Sequence, residues 1–165
     1  MNEKFDITLN INGRDYPIRV EARKTLVDAI REDCGQTGTH IGCEHGVCGT
    51  CTVIVDDDAV RSCLMFAVQA QGKKIRTVEG LANGDELHPL QRAFIENHGL
   101  QCGYCTPGFL MLAANVLEKN PHIGDEELID VLASNLCRCT GYQNIIKAVR
   151  VARDEMGRAR QDQNS

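Results

Sequence analysis

The chain has 165 residues, 42% hydrophobic and 25% charged, with nine cysteines, no tryptophan and a formal net charge of -5. That acidic balance excludes a nucleic-acid footprint, and no apolar run approaches the roughly 18 residues of a membrane span. The opening MNEKFDITLN carries an acidic residue and no apolar signal core. Nine cysteines without a secretory signal point to the reducing cytoplasm, where metal or redox chemistry explains them better than structural disulfides.

In chain order, Phe5, Ile7, Leu9 and Ile11 alternate, Asn12-Gly13 is a strong hairpin signal, and Tyr16, Ile18 and Val20 alternate again. This predicts a β-hairpin. The stretch TLVDAIRED has Thr25 and Asp28 at capping-box spacing, with Leu26 and Ile30 on one face, and reads as a helix. Residues 34–51 hold five glycines and no period, so they form a structured loop. CTVIV is a strand, Asp56-Asp57-Asp58 a solvated turn, AVRSC a return strand and KKIRTVEG a last strand. After Gly80, HPLQRAFIENHG, TPGFLMLAANVLEKNP, DEELIDVLASNLC and GYQNIIKAVRVARDEM carry helical spacing. Pro107 suits a first helical turn, and Asn120-Pro121 ends that helix. The tail GRARQDQNS is polar and expected to fray. The chain therefore divides within 72–85 into an α+β unit, residues 1–80, and an all-helical unit, residues 81–165. Each has a thin core of the kind that leans on metals or crosslinks.

The cysteines fall into two quartets and one remainder. Cys43, Cys48, Cys51 and Cys63 follow C-x4-C-x2-C and then a fourth cysteine, the plant-type ferredoxin spacing for a [2Fe–2S] cluster. Gly42, Gly46 and Gly49 would let backbone N–H groups approach the sulfurs closely. Cys102, Cys105, Cys137 and Cys139 form C-x2-C and C-x-C, each followed by a threonine at an expected helix start, where free N–H groups and the helix dipole favour thiolates. Zinc remains an alternative for each quartet, and the second comes closer to zinc spacing. A Rieske pair at Cys43-Glu44-His45 has no second histidine-bearing partner, and a thioredoxin-like couple at CGYC lacks its βαβ context. Beside a ferredoxin-type quartet, a second [2Fe–2S] centre is the economical reading of the helical one. Cys34 reads as a small buried hydrophobe, and the five histidines as surface or loop residues. Tyr104 and Arg138 would either tune the second centre or fill its loop. A zinc-stabilised interaction module and a free-standing two-cluster carrier are the functions of other classes left open.

Together GCEHGVCGTCTV, LQCGYCTPG and LCRCTGYQNI resemble the small iron–sulfur subunit of the molybdenum hydroxylases, the xanthine dehydrogenase family, over roughly residues 5–155. The resemblance implies a β-grasp ferredoxin-like domain followed by a four-helix domain, each with one [2Fe–2S] cluster held by its quartet. It implies a partner large subunit carrying molybdopterin, as the cytosine dinucleotide or a similar form, and a medium subunit carrying FAD, in a heterotrimer or a dimer of heterotrimers. Electrons would pass from molybdenum to the helical-domain cluster, then to the ferredoxin-type cluster, then to FAD or another acceptor. By the same resemblance Gln101 and Cys139 contact the pterin. Cys34 and Asp58 depart from the family pattern without touching a ligand position.

Overall fold

In the computed structural model, residues 3–163 are described. The chain is mixed α and β, and among the described residues five strands form one sheet in the order β2-β1-β5-β3-β4. Strands β1 (Lys4–Ile11) and β2 (Arg14–Glu21) pair antiparallel, with Ile11 opposite Arg14. Their turn places Asn12 and Gly13 at φ 52° and 79°, the left-handed pair a tight hairpin needs. The expected alternation holds for Ile7, Leu9 and Ile11, which are buried, but not for Phe5, which is exposed. Thr25 begins the expected helix: its hydroxyl accepts from the Asp28 N–H and donates to the Asp28 carboxylate. Only α1 (Leu26–Asp28) is α-helical, however, and the chain continues through Ala29–Asp33 as a wider π turn. Strand β3 (Thr52–Val55) turns at Asp56 into β4 (Asp58–Arg61), and β5 (Lys74–Arg76) pairs parallel with β1 and antiparallel with β3.

Four longer helices follow: α2 (Pro89–Glu96), α3 (Thr106–Lys119), α4 (Asp125–Leu132) and α5 (Gln143–Gln163). The polar tail expected to fray is instead the end of α5, with Arg160 donating to the Glu118 carbonyl and Arg158 to the Asp154 carbonyl. Residues 164 and 165 of that expectation lie outside the described residues. No helix among the described residues is long and apolar enough to cross a membrane.

Two hydrophobic clusters organise the chain. One joins the hairpin, α1 and the sheet around Leu9, Ile30, Val53 and Ile75; the other joins the four helices around Phe94, Phe109, Leu128 and Val149. Burying side chains of this size is worth about 1.5–3 kcal/mol each. All four residues of β3 are buried, because the sheet core covers one face and α3 the other. Along that seam Asn115 donates to the Asp57 carbonyl at 2.8 Å and Arg76 meets Glu118 at 2.8 Å. Helix α3, which starts right after Cys105, thus packs against the strand that leaves the first quartet.

Candidate metal centres

The first quartet is built from the irregular loop ahead of β3 and the short 3-10 turn Ser62–Leu64 behind β4. Arg31 anchors the loop, its Nη1 donating to the carbonyls of Thr37 and Thr39 at 2.6 and 2.8 Å. The Cys48 N–H donates to Cys43 Sγ at 3.3 Å. Burial alone would raise the Cys43 thiol, but N–H groups of Cys48, His45 and Val47, with the Cys48 side chain, hold it down to about 6. Cys63 shows the reverse: burial, then the adjacent Cys51 side chain, push it up to about 11, against one N–H from Gly46. Cys51 and Cys63 are buried beside Val27 and Ile41, and Ser62 Oγ donates to the Cys51 carbonyl at 2.6 Å. The thiols stand as two pairs, Cys43 with Cys48 and Cys51 with Cys63. The His45 side chain is engaged elsewhere, its Nδ1 against the Cys43 carbonyl.

The second quartet forms where two chain reversals meet, one ahead of α3 and one between α4 and α5. Its pairs cross the two motifs: Cys139 Sγ lies 3.5 Å from Cys102 Sγ, and Cys105 contacts Cys137. Burial, then the Cys137 side chain, push Cys105 up to about 12. Cys137 is lowered in spite of its burial, because Thr140 Oγ1 donates to its sulfur at 3.1 Å and the N–H groups of Thr140 and Cys139 face it. Tyr142 holds the turn, its hydroxyl accepting from the Cys137 N–H and its own N–H donating to Thr140 Oγ1, both at 3.1 Å. The paired threonine caps expected from the sequence do not form. Cys105 occupies the cap position of α3 and the buried Thr106 hydroxyl has no protein partner, while Thr140 lies too far ahead of α5 and serves Cys137 instead.

The two sites touch. The Leu136 N–H, next to Cys137, donates to the Cys48 carbonyl at 2.9 Å. Gly49, at φ 71°, leaves room for the Asn135 amide: a Cβ there would stand 1.9 Å from Asn135 Oδ1. Gly108 of α3 seats directly on this loop, since a Cβ would come within 2.3 Å of the Gly49 carbonyl. Arg61 reaches across, donating to Thr52 Oγ1 and to the Ser134 carbonyl and hydroxyl at 2.5, 2.9 and 3.2 Å. Tyr104 stacks on His40 with ring centres 4.9 Å apart, and its hydroxyl donates to the Ile41 carbonyl. Tyr104 therefore braces the loop ahead of Cys43 from beside Cys105. Arg138, Gln101, Cys102 and Cys139 are exposed, and Cys34 is buried in the sheet core, where burial pushes its thiol up to about 11. The bridge made by Arg61, the packing of Asn135 on Gly49 and the turn held by Tyr142 carry no sequence signature of their own, although Asn135 and Tyr142 lie within a few residues of Cys137.

All nine cysteines are unbridged, and among the described residues no three His, Cys, Asp or Glu side chains converge as ligands of a single ion. A sulfur-only donor set split into two pairs, with backbone N–H groups turned to the sulfurs, fits a [2Fe–2S] group with two cysteines per iron better than one zinc ion. When bound, such a group takes up and gives back one electron at a time.

Known families match both halves: one described as a 2Fe-2S iron-sulfur cluster binding domain over residues 9–82, and one described as a [2Fe-2S] binding domain over residues 77–150. The chain is 52% identical over 156 residues to the nicotine 6-hydroxylase small subunit of Paenarthrobacter nicotinovorans, covering 94% of each. It is also 52% identical to caffeine dehydrogenase subunit gamma of Pseudomonas sp. (strain CBB1), over 87% of this chain and 88% of that one. Among solved structures, a chain of quinoline 2-oxidoreductase from Pseudomonas putida 86 superposes with a TM-score of 0.89 at 47% identity, over 94% of this chain and 97% of that one.

Proposed function

The chain belongs to the small iron–sulfur subunits of the molybdenum hydroxylases, and on that premise we propose which of its residues carry the electron transfer of that family. Cys43, Cys48, Cys51 and Cys63 hold one [2Fe–2S] cluster, and Cys102, Cys105, Cys137 and Cys139 the other. The observation that carries this reading is the contact of two four-thiol sites within one chain, joined by the Leu136 N–H bond to the Cys48 carbonyl. The chain's own part is to hold two anionic centres close together and to screen them. Backbone N–H groups at 45–48 and 139–140, with the Thr140 hydroxyl, offset the thiolate charge, a compensation that two doubly negative groups in a chain of formal charge -5 require.

The two ends present different faces. Gln101, Cys102 and Cys139 are exposed beside Leu100, Tyr104 and Leu136, which supports Gln101 and Cys139 as contacts to molybdopterin on a large subunit. Val47, Leu64 and Phe66 are exposed around the first quartet, which supports docking of a medium, FAD-bearing subunit there. Electrons then run from the helical site to the loop site, in a heterotrimer or its dimer. The separate hydrophobic clusters support two domains, a β-grasp unit over 1–80 and a four-helix unit over 81–165, meeting where Val78 and Leu81 pack on the helical core. The need for reduced thiols while the clusters assemble supports a cytoplasmic location. Affinity purification of the tagged chain from its native cells tests the partnership: co-elution with molybdopterin- and flavin-bearing chains is expected. A chain eluting alone with both clusters intact would make it a free-standing carrier.

A further inference from the structure

Arg61 spans the seam between the two cysteine loops without a carboxylate partner. Arg76, Arg92 and Arg153 each meet a carboxylate. Among the described residues Arg61 has no ion-pair partner. Its half-buried side chain instead ends on neutral oxygens, Thr52 Oγ1 on one side and the carbonyl and hydroxyl of Ser134 on the other. Those oxygens place its guanidinium between the two cysteine loops. A Cβ on Gly49, the residue after Cys48, would lie 3.1 Å from Arg61 Cζ; Arg61 itself is two residues before Cys63, and Ser134 is three before Cys137. Beside it the Asn135 amide is buried to 1% exposure with neither of its polar atoms partnered by protein, so no neighbouring side-chain dipole opposes the guanidinium there. A cation without a carboxylate in such a place has its field unspent until anionic groups occupy the thiols on either side.

We propose that Arg61 is the shared counter-charge of the two sites, a residue that raises both reduction potentials together while it ties the Cys48–Cys51 loop to the end of α4. Each reduction adds a negative charge beside a fixed positive one, so removing that charge disfavours reduction at both sites. The fork geometry is needed for the tie, but charge alone suffices for the potentials, and Lys separates the two roles.

This inference rests on the two-cluster reading, and reductive titration of the intact complex, followed by low-temperature EPR, keeps the two apart. Fewer than two reducible iron–sulfur signals in the wild type would end the two-cluster reading itself, whatever Arg61 does. With both present, Arg61→Gln is expected to lower the reduced-to-oxidised ratio of each centre about tenfold at fixed solution potential, about 59 mV for one electron. Arg61→Lys is expected to keep both potentials at the wild-type values while lowering the melting temperature. Unchanged potentials in Arg61→Gln, a shift at one centre alone, or an equal fall in Arg61→Lys would each overturn the shared-charge role. Should Arg61→Gln fail to assemble, Arg61→Met removes the charge in its place: a tenfold fall at both centres supports the proposal, and unchanged potentials contradict it.

Discussion

The two quartets, of four thiols each, are built in opposite ways. The first is wrapped by one continuous loop, whose backbone N–H groups turn inward on Cys43, and is closed from behind by the buried Cys51 and Cys63. The second is assembled from two separate chain reversals, adds a side-chain donor, the Thr140 hydroxyl, to the N–H groups of Cys139 and Thr140, and leaves Cys102 and Cys139 at the surface. A loop site is local and shielded; a helix-end site depends on tertiary packing and is open to a partner. The two environments should therefore give unequal potentials, although both present four thiols.

The largest expected effect separates them outright. Cys48→Ser should remove about two of about four irons per chain and leave the helical EPR signal in place, and Cys105→Ser should do the reverse. Loss of all iron from either variant would show that the two sites load as one unit. Next comes their contact. Gly108→Ala would push a methyl group against the Gly49 backbone, an overpacking worth about 1–3 kcal/mol in urea unfolding. Both EPR signals should broaden, since the seam touches both loops; an unperturbed, equally stable variant would mean that α3 does not set the spacing.

The smallest effect is confined to the helical half. His88 caps α2, its Nδ1 accepting from the Leu90 N–H, and burial lowers its pKa below the ordinary histidine value. A depressed folded-state pKa means that the unfolded chain takes up the proton first. The stability of the neutral cap is thus fully present above the ordinary value near 6.5 and is lost as pH falls through the folded pKa. Thermal melts should show wild type losing stability below about pH 6.5 relative to His88→Asn, which caps without titrating. Parallel pH profiles for the two proteins would contradict this.

Much of this was legible in the letters. Alternation and Asn12-Gly13 gave the hairpin, and the helical spacing after residue 80 gave the four helices, because both are local patterns. Spacing also divided the cysteines into two sets, and in the structure thiols of the same set meet in pairs, Cys43 with Cys48, Cys51 with Cys63, Cys105 with Cys137 and Cys102 with Cys139. What stayed hidden depends on where distant segments meet. The crossed pairing of Cys102 with Cys139 needs α3 and α5 in place, and the role of His88 as a cap requires knowing that α2 starts at Pro89. Thr106 looked like a cap because it follows a cysteine pair, but Cys105 already has helical backbone angles and takes the cap position. The tail looked unstructured because it is polar throughout, whereas its arginines find backbone carbonyls on α3 and α5.

Low-temperature EPR of the dithionite-reduced chain in its complex, with spin integration beside iron and zinc analysis, bears most directly on the two-cluster function. Two distinct signals of about one spin each, with about four irons per chain and no stoichiometric zinc, are the expected result. One signal with about two irons, or bound zinc in place of iron, would contradict a chain that relays electrons between two centres.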